Sequence, residues 1–256
     1  MEDRLQKILA QLGLASRRQA ELMIVDGRVK LNGQLAQLGQ RADLTVDRIE
    51  LDGRLLKPDG RPQLLYFLLN KPRGVVSTCR DPEGRRTVLD LFPEELASHQ
   101  GLHPVGRLDT DSSGALLITN DGDLTFYMTH PSHEVEKTYE VWVEGSPSNM
   151  VLSRWRDGVI LDGRRTLPTR IRVLQSGTDR TLLEVVMREG RNRQIRLVAQ
   201  QLGHPVSRLH RTAIGNIYLR SDEHVPVRSG SYRPLLRYEI NFLKRQSEAG
   251  PGVRRG

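Results

Sequence analysis

Between residues 64 and 186 the apolar residues come in short runs, and this spacing limits the fold more than any other feature of the chain. Leu64–Leu69, Val75–Ser77, Ala115–Thr119, Thr138–Val143, Ile171–Leu174 and Thr181–Val186 are all of strand length, with Gly, Pro and Asp turns between them. After residue 60 only Gln194–Leu202 and Leu124–Met128 carry a helical pattern. Strands joined by turns rather than by regular crossover helices predict an α+β fold with a largely antiparallel, mixed sheet. The longest apolar run, Leu64 to Leu69, is far too short to cross a bilayer. The N-terminus, Met-Glu-Asp-Arg, has neither the basic nor the apolar segment of a signal peptide, so a cytoplasmic protein is expected.

The first 60 residues read as a separate small module. Leu5, Ile8, Leu9 and Leu12 make one helical stripe that Gly13 ends. Ser16 and Gln19 form a capping-box pattern for a second helix, which buries Ala20, Met23 and Ile24 and stops at Gly27. Val29 and Leu31 then alternate as a strand, Asn32-Gly33 signals a hairpin, and Ile49 and Leu51 alternate again before Asp52-Gly53. Lys57 to Pro62 is the linker candidate. Residues 61–245 then form a larger domain, and residues 246–256 a disordered basic tail.

Charge points to the partner. The chain carries 39 Lys and Arg against 31 Asp and Glu, a net +8. Residues 186–256 hold 14 basic and 5 acidic side chains, so the excess lies in this last part. Most of it is arginine, which binds phosphate bidentately and stacks on bases, so a nucleic acid is favoured over a solvated basic face.

Several chemistries find no support. There is no phosphate-binding glycine loop, and no nucleotide cofactor is expected. The seven histidines and single cysteine, Cys79, form no zinc-ligand pattern, so no metal is expected either. Three polar stretches remain: Arg107-Leu108-Asp109, Lys137-Thr138-Tyr139, and Glu189 to Arg196. An aspartate, a tyrosine and an arginine on separate elements suit a nucleotide. The ring stacks on the base, the arginine pairs with the carboxylate, and the carboxylate acts as nucleophile or base. Each also has a plain structural reading, as turn aspartate, core aromatic and solvated helix residue. A serine hydrolase using Ser112 or Ser113 with a histidine stays open beside this, without a nucleophile-elbow pattern to support it.

Two resemblances join these stretches. "LASRRQAELMIVDGRVKLNGQ" resembles the small RNA-binding module named after a small-subunit ribosomal protein, the S-four-like domain. "LLNKPRGVVSTCRDPEGRRTVLDLFP", "HPVGRLDTDSSGALLITNDGDL", "HEVEKTYEVWVEG" and "REGRNRQIRLVAQQLGHPVSRLHRTAIGNIYL" resemble, in order, the motifs of RsuA/RluB-type ribosomal RNA pseudouridine synthases. The resemblance covers nearly the whole chain. It departs from the usual pattern at Ser112, where Thr is usual, and at Ala115 and Ala213.

The family resemblance implies cofactor-free isomerisation of uridine in ribosomal RNA, with Asp109 catalytic, Tyr139 against the uracil and Arg196 paired with Asp109. It further implies RNA contacts at Arg107, Lys137, Arg191, Arg193, Arg208 and Arg211, and at Arg17, Arg18 and Arg28 in the first module. The "DPEGRRTV" loop looks more like the branch acting on large-subunit rRNA than the small-subunit branch. A monomer is expected, and a non-catalytic ribosome-assembly protein on the same fold is the main rival.

Overall fold

Local signals account for most of the first helices and turns of the chain, which is described here by a computed structural model over residues 2–60, 62–220 and 225–248. Helix Leu5–Gln11 buries Leu5, Ile8 and Leu9, and helix Arg17–Val25 opens with a complete capping box between Ser16 and Gln19. The turns at Asn32-Gly33 and Asp52-Gly53 take positive φ at both residues, the geometry that a tight hairpin turn requires. Strands Val29–Leu31, Gln34–Leu35, Ile49–Leu51 and Arg54–Leu55 make a four-stranded sheet over a core that includes Leu9, Ile24 and Ile49.

The chain packs into two compact units. One comprises Met1–Leu65 with Phe92–His103 and Thr119–Gly122; the other comprises Tyr66–Leu91, Pro104–Ile118 and Asp123–Gly256. The boundary is therefore less simple than a single cut at residue 60. Within the expected linker, Pro58–Gly60 forms a short 3-10 turn, and Arg61 lies outside the described residues.

The second unit is built on a nine-stranded sheet, as part of an α+β architecture. Its main path runs Arg170–Gln175, Arg180–Met187, Lys137–Glu144, Val206–Ile214, Ser113–Thr119, Tyr66–Lys71, Tyr232–Pro234. Strand Lys137–Glu144 pairs antiparallel with both of its neighbours, placing Tyr139 opposite Val185 on one side and Arg211 on the other. Val206–Ile214 pairs parallel with Ser113–Thr119 through Ser113 and Gly114. Val141, Leu183 and Val185 pack with Trp155, Val198 and Ala199 in one core cluster, and Leu68, Leu117, Ile217 and Leu243 belong to another.

Several elements differ from the expectation. Val75–Ser77 is no strand; Gly74 at φ +83° turns the chain away, and only an isolated bridge joins Val76 to Thr87. Val206–Ile214 is a central strand that alternation failed to reveal, because Arg208, His210 and Arg211 interrupt its apolar residues and two bulges break the period. Helices Glu94–His99, Asn149–Asp157 and Arg237–Glu248 were not expected. Asn149–Asp157 buries only Leu152 and Trp155, a stripe too narrow to read. Gln246 to Glu248 end the last helix rather than beginning a tail, and 249–256 lie outside the described residues. Among the described residues no helix is long and apolar enough to cross a membrane.

Candidate active site

Asp109 sits on the segment between Gly106 and Ser112, and backbone contacts explain how an acid is held in front of a buried strand. The neighbouring segment, Lys71 to Ser77, grips alternate residues of it. Ser77 Oγ donates to the carbonyl of Leu108 at 2.7 Å and accepts from its amide at 3.1 Å. The amide of Gly74 donates to Thr110 O at 2.7 Å. Lys71 Nζ donates to Ser112 O at 2.8 Å and to Pro72 O at 2.9 Å. Leu108, Thr110 and Ser112 are thereby fixed from one side, and the residues that alternate with them are Arg107, Asp109 and Asp111. A cavity of about 610 Å³ is lined by these three together with Thr78, Arg80 and Arg193.

The cations around the two carboxylates differ from the expected pairing. Arg193 makes a forked contact with Asp111, at 3.1 and 3.3 Å, and its Nη1 lies 3.6 Å from Asp109. Arg196 does not pair with Asp109. Its Nη2 donates to Asp111 O and Ser112 Oγ, both at 3.2 Å, and Nη1 donates to Val206 O at 3.4 Å. Arg196 Nε is 3.3 Å from the Asp111 carboxylate but makes no hydrogen bond, so that contact is ionic rather than directional. The helix start decides this. Arg193, in left-handed conformation at φ 52°, is the N-cap of Gln194–Gln201, whereas Arg196 sits inside the helix, its guanidinium held against the base of the Asp109 loop.

Electrostatics follow the geometry. Lys71 is fully buried, and burial lowers its ammonium pKa to about 8, against the opposing pull of Asp109 and Asp111. Burial likewise lowers Arg196, with Asp111 the chief opposing charge. For Asp111 burial acts upward, but the Arg193 hydrogen bond and the charges of Arg196 and Arg193 outweigh it and hold the carboxyl below its usual range. Asp109 and Asp111 therefore share the cavity wall with Arg193, while Arg196 and the buried Lys71 add positive charge from behind the loop.

Other expected residues separate into accessible and buried groups. Tyr139 is 8% exposed and belongs to the core cluster that contains Leu108; it is not among the described residues of the cavity wall. Arg211 is buried, with Nε donating to Ala115 O at 2.6 Å, so it cannot present its guanidinium to a phosphate as expected. Lys137 is half-buried, its pKa lowered to about 8 by burial and then by Arg211. Arg191 is partly exposed and donates to the carbonyls of Leu161, Arg164 and Arg165 and to Glu189. Arg107 and Arg208 are exposed, as are Arg17 and Arg18 at the start of their helix. Arg28 is exposed but engaged by Asp52, at 2.9 and 2.6 Å. Ser112 and Ser113, the serines of the hydrolase alternative, are both buried and off the cavity wall, and Ser113 is bonded to His210 Nδ1 at 2.9 Å.

The residues missed from sequence are Lys71, Ser77 and Asp111. A lysine closing the buried run Tyr66–Lys71 was a legible signal, since an isolated cation in such a strand requires acceptors.

Asp109, on a loop beside an arginine-rich helix start, marks the candidate site, and comparison with known proteins gives the family of the chain. Residues 65–201 match the model of the RNA pseudouridylate synthase family, and residues 3–45 match the S4 domain. A solved structure described as a pseudouridylate synthase superposes with TM-score 0.66 at 32% identity, covering 94% of this chain and 99% of that one. The chain belongs to the RNA pseudouridylate synthase family and carries an S4 domain at its N-terminal end. Among its relatives, it is 37% identical to ribosomal large subunit pseudouridine synthase B of Bacillus subtilis over 251 residues, 97% of this chain and 98% of the relative. An uncharacterised RNA pseudouridine synthase of Mycobacterium tuberculosis is 42% identical over 241 residues, 94% of this chain and 92% of that one. The protein is thus a pseudouridine synthase, an isomerase acting on RNA.

Proposed function

We propose that the protein converts a uridine of large-subunit ribosomal RNA to pseudouridine, with Asp109 as the catalytic carboxylate. The observation that carries this reading is the placement of Asp109 on the wall of the 610 Å³ cavity, on a loop fixed through Leu108, Thr110 and Ser112. The name of the Bacillus subtilis relative, similar along its whole length, supports the large-subunit target. The reaction conserves every atom: C1′–N1 breaks, the uracil turns, C5 bonds to C1′, the C5 proton leaves and N1 takes one up. Asp109 acts at the ribose, on C1′ or on the C2′ proton.

In this reading Arg193, Arg196 and Lys71 supply a fixed positive field around the carboxylates, so that little rearrangement is needed when charge develops. Asp111 takes the ion pairs of Arg193 and Arg196, which leaves Asp109 only the longer 3.6 Å contact and keeps it accessible. Arg107, exposed on the same wall, takes the phosphate next to the flipped nucleotide or fills the vacated stack. Residues 1–60 serve as a second RNA-binding domain beside a catalytic domain of residues 61–245, with Arg17 and Arg18 toward phosphate.

Tritium release from 5-tritiated uridine in an unmodified large-subunit rRNA transcript tests the assignment. Asp109→Asn abolishes release and keeps RNA affinity within a few-fold of wild type; an active Asp109→Asn enzyme refutes the role. Carbodiimide mapping of rRNA from a deletion strain identifies the uridine, and loss of a small-subunit signal instead overturns the large-subunit target.

A further inference from the structure

Helix Gly122–Thr129 buries Leu124, Tyr127 and Met128 but leaves Phe126 outside, 62% exposed. Two imidazoles stand beside it. The His130 ring lies 5.2 Å from the Phe126 ring, tilted 46°, and the His133 ring lies 6.4 Å away at 80°. His133 in turn stacks flat on the buried Tyr127, at 4.1 Å and 17°, so the cluster is anchored in the core. Its polar edges are set as well. His133 Nδ1 faces the carbonyl of Tyr127 at 2.7 Å and must donate, leaving Nε2 as the acceptor of the neutral ring. His130 Nδ1 accepts from the Ser132 amide at 3.3 Å, leaving Nε2–H as donor. A ring cluster that only sealed a helix end would cover Phe126, and this one does not.

The position matters as much as the composition. A Cβ placed at Gly106 would lie 3.5 Å from Thr129 Cγ2, so the Asp109 loop runs against the residue preceding His130. The next residue, Arg107, is exposed and on the cavity wall. An exposed π face, two imidazole edges and a cation are therefore carried by adjoining segments, the end of this helix and the Asp109 loop. That set of groups fits a base and the phosphate beside it. An apolar protein partner would have no use for the arginine or the imidazole edges.

We propose that Phe126, with His130 and His133, is a stacking subsite for an unpaired base of the RNA, flanking the nucleotide that enters the cavity. The inference rests on the RNA-modifying reading above and extends it to a second nucleotide. Aromatic platforms of this kind bind single-stranded bases with little regard to sequence. Flipping one nucleotide unstacks its neighbour, and the platform supplies that neighbour with a new face.

Filter retention of the unmodified large-subunit rRNA transcript by the full chain, with tritium release measured on the same preparations, tests the subsite. Phe126→Ala is expected to weaken retention about tenfold, which is about 1.4 kcal/mol. Phe126→Trp, which keeps a ring, stays within twofold of wild type, whereas Phe126→Leu, apolar but unable to stack, behaves like Phe126→Ala. Thermal unfolding of the variants stays near wild type because the side chain is mostly exposed. Retention by Phe126→Ala within twofold of wild type, or equal rescue by Leu and Trp, overturns the subsite while leaving the isomerase reading intact. The expected retention pattern without tritium release by the wild type keeps the subsite and refutes the isomerisation of this RNA.

Discussion

Gly114→Ala is the sharpest test of how the fold holds the site. Gly114 has φ +115°, outside the range that other residues enter readily, and it faces the backbone of Arg211 in the parallel pairing. A Cβ there would overlap Arg211 O and lie 2.5 Å from Arg211 N and 2.8 Å from its carbonyl carbon. Backbone cannot step aside as a flexible side chain does, so Ser113–Thr119 and Val206–Ile214 must separate. The strained φ costs on the order of 1–3 kcal/mol, and overpacking costs a further ~1–3 kcal/mol. A loss of about 3 kcal/mol is therefore expected, a large part of the roughly 5–15 kcal/mol that holds a domain together. Urea unfolding followed by tryptophan fluorescence measures it in the second unit alone, since Trp142 and Trp155 both lie there. Ser112, whose carbonyl Lys71 holds, adjoins this strand, so isomerase activity falls further than the folded fraction does. Gly122→Ala is the control: its φ is ordinary, nothing lies within 4 Å of a Cβ there, and it begins a helix. It is expected to be neutral or stabilising by up to about 1 kcal/mol. A Gly114→Ala protein within about 0.5 kcal/mol of wild type, the range of an ordinary surface change, would show that the strands tolerate separation and would refute the reasoning.

Two further predictions concern the loop and its charges. Ser77→Ala removes both hydrogen bonds to Leu108 and is expected to lower kcat about tenfold with KM within twofold, because misplacing a reacting group by a fraction of an ångström is costly; steady-state tritium release separates the two, and Ser77→Cys, a weaker donor, recovers part of the loss. Asp111→Asn removes the ion pairs to Arg193 and Arg196 and lowers stability at neutral pH. Because the folded-state pKa of Asp111 is depressed, its contribution is present above its unfolded value of about 3.9 and is lost as pH falls through the lower folded value. Urea unfolding of the two proteins should therefore differ at pH 7 and converge under strong acid, and an equal difference at both pH values refutes the coupling.

What the sequence determined by itself about this protein is what short-range interactions decide. Ser16 and Gln19 cap a helix within one turn, Asn32-Gly33 closes a hairpin within two residues, and Lys137–Glu144 alternates along its own length. The order of polar motifs also sufficed to place Asp109 among the candidates. Tertiary structure alone decided which groups meet. Asp109 and Arg196 were matched by charge, yet the helix beginning at Gln194 delivers Arg193 to the rim and sets Arg196 against Asp111 and the loop backbone. Lys71 and Arg211 count as surface cations in any composition, but the sheet encloses both and commits them to the carbonyls of Ser112 and Ala115. The hold of Ser77 on Leu108 spans 31 residues and leaves no periodic trace. Periodicity records which face of an element is buried; it does not record which neighbour covers that face, and at this site the neighbour sets both the charge and the position of each side chain.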